Sequence, residues 1–445
     1  MTHNMPPRVL LLAPTTTYRL HPFLEAAGRL GIEVVVGDDR CHMLAEQWGD
    51  DSLYMEFNRP KEALETVLEF CRKNPVDTIL PVDDRTVKLA AEASVALNLR
   101  HNRPDAADAA RNKYLMRLRF AESHVRSPTF TKIRLDTPPD GAAARAVYPC
   151  VLKPLHLNGS RGVIRADNPD EFIAAYHRLN AILRSAKVRV SGEPEWEEYL
   201  VEEYVPGIEV ALEGLLVDGE LHVLALFDKP DPLDGPFFEE SLYVTPSRLT
   251  KEEQREIIEC AARAASALGL REGPVHAEIR INDEGAWIIE MAARSIGGKC
   301  SKALRFGTGL SLEEVLLSQA VLRGSPIPER ERQASGVMML PIPCRGLLKQ
   351  VNGIERAADV QGIVEIDILI RVGQWVEPLP EGNSYLGFVF ARSETPYAVE
   401  RALRRAKSLL EIKIAPSVNA ASFVPPAEGC FSSESKPALL QECDS

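Results

Sequence analysis

Apolar residues fall along this chain in two rhythms: short continuous runs that suit buried strands, and spacings of three and four that suit amphipathic helices. Residues 8 to 36 open with the run VLLLA, pass through PTTTYR into an amphipathic stretch and end in GIEVVVGDD, which predicts a strand, a helix and a second strand. VDTILPVDD at 76–84 adds another buried strand and leads into a helical segment. Roughly the first hundred residues therefore predict a small doubly wound α/β domain. The turn after the first strand carries hydroxyls where a dinucleotide fingerprint has glycines, so no dinucleotide is expected there.

Further along, 104–124 has helical composition behind a proline, and TPPDGAAA at 137–144 reads as a linker. YPCVLKPL predicts a strand, NGSRGV a glycine-punctuated loop, 169–185 a helix, YLVEEYV at 199–205 a strand, and 209–227 a long strand pair. The loop DKPDPLDGPFF at 228–238 precedes a helix at 250–268, and GLSLEEVLLSQAVLRG is another helix. Residues 334–414 alternate short β segments with a final basic helix, and the tail from 416, poor in apolar residues, predicts disorder.

The most informative segment is 274–301. VHAEIRI and AWIIE alternate apolar and polar positions around an NDEG turn, which predicts a two-stranded hairpin. Strand alternation puts His276, Glu278 and Arg280 on one face and Ile288 with Glu290 on one face of the returning strand. Glu278 and Glu290, 12 residues apart, could converge on a magnesium ion, a cation that prefers hard oxygen ligands and nucleotide phosphates. Arg294 follows on the exit from the strand, where a forked cation could grip a phosphoryl oxygen.

Length bounds this reading, because 445 residues exceed one ordinary core and suggest roughly two to four domains or subdomains. A formal charge of −12 argues against a nucleic-acid partner, which would need a concentrated basic surface. VLLLA is far too short for a signal or membrane-spanning segment, so a soluble, cytoplasmic protein is expected. Eight cysteines occur without a CxxC pair or metal spacing, which fits scattered reduced thiols.

Other segments supply chemistry in order. Lys153 ends an apolar strand, and Gly159-Ser160-Arg161-Gly162-Val163 can fold backbone N–H groups over phosphate oxygens. A Walker A motif is ruled out, since Gly298-Lys299 has Ala293 where the first glycine belongs and Cys300 where Ser or Thr belongs. In VEEYVPGIEVALEG an extended hinge could hydrogen-bond an adenine edge, with Glu209 placed to bind ribose hydroxyls.

Taken together, RNKYLMR, YPCVLKP, NGSRGV, VEEYVPGIE and HAEI…WIIEMAAR resemble the ATP-grasp superfamily over roughly residues 8–415. The resemblance implies an α/β (α+β) ATP-grasp fold with an N-terminal Rossmann-like α/β domain, a central lid subdomain and a C-terminal β-rich part. The implied divisions are an N-terminal domain at 1–104, a lid subdomain with entry helix at 105–204, a catalytic subdomain at 205–330, a C-terminal subdomain at 331–415 and the tail at 416–445. It implies ATP with Mg2+, or Mn2+ in its place. Lys113 and Lys153 would contact phosphates, Gly159 to Val163 would form a mobile lid, Glu202, Glu203, Tyr204 and Val205 would line the adenine hinge, and Glu209 would hold the ribose. Glu278 and Glu290 would hold the metal and Arg294 would stabilise the transferring phosphoryl group; Lys153 and His276 are the further catalytic candidates. Ala292 departs from the asparagine of many members, and the EMAAR ending resembles the ESAAR type of bacterial L-amino acid ligases.

FDKPDPLDGPFFEESLYVTPS at 227–247 is similar to the corresponding stretch of carnosine synthases and dipeptide-forming ligases. It implies a substrate wall with Phe237, Phe238 and Tyr243 as apolar surface, and Glu239 or Glu240 facing an amino group. Gly297 and Gly298 would add backbone N–H groups near an anionic intermediate. The implied reaction is ATP-dependent amide formation between a carboxylate and an amine, both small molecules and plausibly amino acids, through an acyl phosphate. A carboxylase or purine-pathway ligase and a catalytically silent nucleotide-binding regulator remain as alternatives. His276 fits either a structural histidine or a substrate contact or base. The oligomeric state is left open, with a homodimer the commonest arrangement for soluble enzymes.

Overall fold

A computed structural model describes residues 6–15, 17–39, 52–185, 194–322 and 324–416. The tail from 417 and Cys41, Cys430 and Cys443 lie outside the described residues. Near the N-terminus, β1 (Arg8–Leu12), β2 (Glu33–Asp38), β3 (Ser52–Tyr54) and β4 (Thr78–Pro81) form a parallel sheet in the order β3-β2-β1-β4. The continuous apolar run of β1 has a simple cause: both of its faces are covered. Val9 and Leu11 pack with Phe23, Ala26 and Ala27 of the helix Leu20–Leu30. Leu10 and Leu12 pack on the other side with Val67, Cys71 and Leu89 from the helices Pro60–Lys73 and Asp84–Ala96. The loops leaving β1 and β4 diverge at the carboxyl edge of this sheet, the place where open parallel sheets bind ligands.

The helical stretch at 104–124 is two helices, Pro104–Arg111 and Lys113–Glu122, instead of one. Asn112 breaks it: its backbone is extended, and its side chain accepts from the N–H groups of Tyr114 and Leu115 at 3.0 and 3.3 Å. That cap competes with continuous helix and starts the second one at Lys113. The expected linker at 137–144 also contains a short helix, Pro139–Ala143, because Ala142 and Ala143 are buried in an apolar cluster with Phe172, Leu179 and Leu183.

The next sheet comprises β5 (Phe130–Arg134), β6 (Cys150–Pro154), β7 (Ile164–Ala166) and β8 (Glu198–Glu203), antiparallel in the order β5-β8-β6-β7. It is backed by the helix Pro169–Arg184, capped by Asn168. An eight-stranded antiparallel sheet follows, built from β9 (Ile208–Val217), β10 (Glu220–Asp228), β11 (Leu242–Thr245), β12 (Gly273–Asn282), β13 (Gly285–Ala292), β14 (Ala334–Leu340), β16 (Ile363–Ile368) and β18 (Gly387–Ser393). The order is β13-β12-β9-β10-β11-β14-β18-β16, so the acidic hairpin lies at one edge, and the direct pairing of β11 with β14 carries the sheet across position 330. The helix Lys251–Leu268, opened by a Thr250–Glu253 capping box, buries Ile257, Cys260 and Ala264 under the hairpin end. The helix Pro396–Leu409 buries Val399 and Leu403 under the other end. A small sheet of β15 (Gly346–Asn352), β17 (Trp375–Val376) and β19 (Glu411–Ala415) completes the C-terminal part.

These parts meet around one cleft. The glycine loop is tied down: the Gly162 N–H donates to Pro380 O at 2.9 Å and Arg161 Nε to Glu381 O at 3.0 Å. Arg178 holds the Glu381 carboxylate with both Nε and Nη2, the latter at 2.8 Å. Among the described residues, no helix is long and apolar enough to cross a membrane.

The turn from β8 into β9 imposes a strict local demand. Gly207 has φ +127°, and a Cβ there would stand 2.4 Å from the carbonyl oxygen of Ile281. Gly207→Ala is expected to lower the apparent melting temperature, reflecting backbone strain of roughly 1–3 kcal/mol with the Ile281 contact added to it. A scanning-fluorimetry trace superimposable on wild type would contradict this account of the turn.

Candidate active site

The predicted hairpin forms, and its register sets the two acids against each other. Glu278 on β12 is paired directly with Glu290 on β13, just before a bulge. On its other side β12 pairs with β9, which places His276 opposite Glu213 and Arg280 opposite Glu209. Both pairs bond: His276 Nδ1 lies 3.2 Å from a Glu213 oxygen, and Arg280 Nε donates to Glu209 at 2.9 Å. The expected single face of His276, Glu278 and Arg280 is thus realised, each opposed by β9.

Lys113, Lys153 and Arg294 line the same cavity, and each is held by an acid. Lys113 Nζ lies 3.1 Å from Glu290 and donates to Leu157 O at 2.8 Å. Lys153, expected to project freely toward phosphate, is 2.6 Å from Glu202, and burial pulls its ammonium below the usual lysine range. Glu202, assigned to the adenine hinge, is instead a buried carboxylate between Lys153 and Arg117, whose Nε lies 2.9 Å away. Arg117 also donates to Ile289 O at 2.7 Å and so braces β13 from behind. Arg294 Nη2 bonds Asp84 at 2.8 Å. Burial works against that guanidinium's charge, but Asp84, Asp83 and Glu290 outweigh it.

Glu209, Glu240 and Glu278 form a carboxylate trio whose oxygens lie within 4.8 Å of one another. The Lys229 ammonium enters the trio, 2.8 Å from Glu209, in contact with Glu240 and 3.8 Å from Glu278. Burial opposes ionisation of Glu240, yet Lys229 and the Tyr243 hydroxyl, 2.7 Å away, bring it to about 2. Glu278 behaves oppositely, pushed up to about 8 by burial and by Glu240, Glu209 and Glu290 despite Lys229. Glu209 is therefore an ion-pair centre for Lys229 and Arg280 in the cavity wall.

The cavity has a volume of about 770 Å³. Of the predicted residues, Lys113, Lys153, Gly159, Ser160, Arg161, Val163, Glu202, Glu203, Tyr204, Val205, Glu209, Phe238, Glu240, Tyr243, His276, Glu278, Glu290, Arg294, Gly297 and Gly298 line it. Gly162, Phe237 and Glu239 are not among its lining residues. Phe237 faces the lid instead: it bridges to Ile164 and lies under Arg178, 4.6 Å from the guanidinium. The hinge backbone is partly engaged within the protein, with Tyr204 N–H donating to Pro149 O at 3.1 Å and Val205 O accepting from Arg280 at 2.7 Å. The Tyr204 ring stacks on Phe238 at 6.4 Å and lies beneath Arg165 at 4.0 Å.

Sequence reasoning missed Glu213, Lys229, Asp84 and Arg19. Strand alternation could have found Glu213, which shares the face of Glu209 four positions on. Its carboxylate accepts from the Ile296 N–H at 3.0 Å, fixing the strand exit that carries Arg294. Asp84 and Arg19 lie on the loops at the carboxyl edge of the N-terminal sheet and reach the cavity only through the fold.

Known proteins share sequence and fold with this chain. Residues 24–101 match the ATP-grasp N-terminal domain family, 146–303 the ATP-grasp domain family, and 338–415 the L-amino acid ligase C-terminal domain 2 family. Alanine–anticapsin ligase of Bacillus subtilis is 29% identical over 307 residues, covering 65% of this chain and 64% of the relative. The alignment thus spans a little under two thirds of that relative's length. Dapdiamide A synthase of Enterobacter agglomerans is 25% identical over 360 residues, covering 78% of this chain and 82% of that one. The crystal structure of an L-amino acid ligase from Bacillus licheniformis superposes with a TM-score of 0.78 at 23% identity, covering 92% of this chain and 99% of that one, and shows the same fold. With these three domains in this order around one cleft, the chain belongs to the ATP-grasp superfamily, on the branch that carries the L-amino acid ligase C-terminal domain.

Proposed function

We propose that the protein is an ATP-dependent carboxylate–amine ligase that joins small molecules, with amino acids as the substrate class. The observation that carries this reading is the direct cross-strand opposition of Glu278 and Glu290 in a cavity also lined by Lys113, Lys153 and Arg294. The names of the relatives, alanine–anticapsin ligase and dapdiamide A synthase, support the substrate class. Lys229 is closest to Glu209 and Glu240, so the acids we assign to a divalent cation are Glu278, 3.8 Å from Lys229 and with a raised affinity for protons, and Glu290, which Lys113 also contacts. Their hard oxygen donors suit Mg2+ or Mn2+. When bound, that ion offsets negative charge on the phosphoryl oxygens of ATP.

In the first step a substrate carboxylate oxygen attacks the γ-phosphorus of ATP, the bond to the β-phosphate oxygen breaks, and ADP leaves behind an acyl phosphate. Lys113 and Lys153 bind phosphate oxygens, and Arg294 holds the group in transit, oriented by Asp84. The Gly159–Val163 loop and its contacts with Pro380 and Glu381 close the cleft against water, which would hydrolyse the acyl phosphate. In the second step the amine attacks the acyl carbon, inorganic phosphate leaves with the C–O bond electrons, and an amide remains. The amine must shed a proton as it bonds. His276, anchored through Nδ1 on Glu213, is the group we assign to receive it.

A matrix of amino-acid pairs, scored for phosphate release and followed by mass spectrometry, tests the reading; ATP hydrolysis indifferent to every pair would overturn it. Arg294→Ala is expected to lower turnover by about 10²–10³ with ATP affinity nearly unchanged. Asp84→Asn, which loosens Arg294 and the 3.3 Å contact from Asn158, should give a smaller loss in the same steady-state assay. Glu278→Gln and Glu290→Gln should each weaken Mn2+ binding at least about tenfold by calorimetry in the presence of ADP. Equal Mn2+ affinity in either variant would remove that acid from the metal site.

A further inference from the structure

Apart from Arg161 of the glycine loop, which donates to the Glu381 carbonyl, the other cations described above at the cavity have acidic partners. Lys113 has Glu290, Lys153 has Glu202, Lys229 and Arg280 have Glu209, and Arg294 has Asp84. Arg19 differs. It stands where the loop after β1 enters the helix Leu20–Leu30, lines the cavity and is only 5% exposed. Nη1 donates to Val82 O at 2.7 Å, Nη2 donates to Ser295 Oγ, and Nε has no hydrogen-bond partner. Glu213, Glu313 and Asp83 act on it only through space, with no ion pair formed among the described residues. Glu213 is committed to His276 and to the Ile296 N–H, and Asp83 accepts from the Arg85 N–H. Burial, and then the like charge of Arg294, both work against the Arg19 charge.

A buried guanidinium with an open donor is costly unless something anionic meets it. The position favours a ligand. Arg19 bridges the loops after β1 and β4 through Val82, at the switch point of the parallel sheet, and Ser295 ties it to the residue after Arg294. The two fixed Nη contacts orient the fork before any ligand arrives, and a planar fork matches the two oxygens of a carboxylate.

We propose that Arg19 binds a carboxylate of an amino-acid substrate and that this carboxylate supplies the ion-pair partner the protein leaves out. The inference rests on the ligase reading for the class of molecule that enters. Two carboxylates meet the requirement: the one that becomes phosphorylated, and the one that an amino acid acting as the amine keeps free.

The test uses the full-length protein saturated with a non-hydrolysable ATP analogue, titrated calorimetrically with each of the twenty amino acids and with their carboxamides. Wild type is expected to bind at least one amino acid, and its carboxamide at least about tenfold more weakly. Arg19→Met should bind the acid as weakly as the amide, with affinity for the ATP analogue retained, and Arg19→Lys should restore part of the difference. Hydroxylamine in place of the amine separates the two sources. Loss of phosphate release with hydroxylamine and a single amino acid in Arg19→Met assigns the phosphorylated carboxylate; loss confined to amino-acid pairs assigns the retained one. A wild type that binds no amino acid, or does not distinguish acid from amide, overturns the proposal, as does an Arg19→Met variant that still distinguishes them. If Arg19→Met does not fold, the wild-type comparison and Arg19→Lys decide. Discrimination in binding without any amino-acid-dependent phosphate release would sink the ligase reading and leave this proposal standing.

Discussion

The cavity depends on interleaving acids and bases across β9, β12 and β13, so that no run of like charge is buried unmatched. Strand pairing does most of this, since Arg280 and His276 fall opposite Glu209 and Glu213 by register alone. Directly opposed charges of unlike sign stabilise a sheet, and like charges destabilise it. The exception is Glu278 against Glu290, where the register forces two carboxylates together. A protein that keeps such a pair at the edge of a cavity keeps an electrostatic demand for a cation there.

Structure outside the sheet is organised around that demand. The Asn112 cap ends one helix so that Lys113 starts the next and reaches Glu290. Arg117, one turn further on the same helix, is fully buried and grips Glu202 and Ile289 O, coupling β8 to β13. The N-terminal sheet contributes Asp84 to Arg294, and the C-terminal turn at 378–382 holds the glycine loop through Pro380 and Glu381. Four regions of the chain thus set the positions of a few charged groups, and removing one buried partner leaves the other exposed to the full cost of an unpaired charge.

How much of this could be read from the sequence depended on whether contacts were local. The hairpin was legible from its short polar turn, but that turn's own register would set Glu278 against Ile289; the bulge between Glu278 and Ile279 is what brings Glu290 opposite, and the bulge was not legible. The doubly wound start was legible because the VLLLA run needs cover on both faces. Contacts between distant segments were not legible: Arg294 meets Asp84, and Arg19 meets Ser295, only after separate domains close on each other. The continuation of the main sheet from β11 into β14 has the same character, since neither strand's sequence names its partner. Lys229 was missed, and Phe237 was placed on the substrate wall, for a different reason. A loop rich in Pro and Asp looks solvated, yet its lysine is buried in an acid trio and its phenylalanine is pinned beneath Arg178.

The acid trio also bears on why Glu278 and Glu290 are the proposed metal ligands, and not the full set of Glu209, Glu240 and Glu278. At an effective dielectric constant of about 20, two carboxylates 4.8 Å apart repel by roughly 3 kcal/mol, whereas an ammonium attracts one at 2.8 Å by roughly 6 and one at 3.8 Å by roughly 4. One lysine is therefore enough to hold the trio together, and it favours its nearer partners. Glu240, in contact with Lys229, is held ionised down to about 2, while Glu278, the most distant of the three, rises to about 8. The lysine satisfies Glu209 and Glu240 and leaves Glu278 short of positive charge on the side that faces Glu290. Burial and the neighbouring acids raise Glu278, the shorter Lys229 contact and the Tyr243 hydroxyl hold Glu240, and Glu278 is thereby the member of the trio we assign to a second cation.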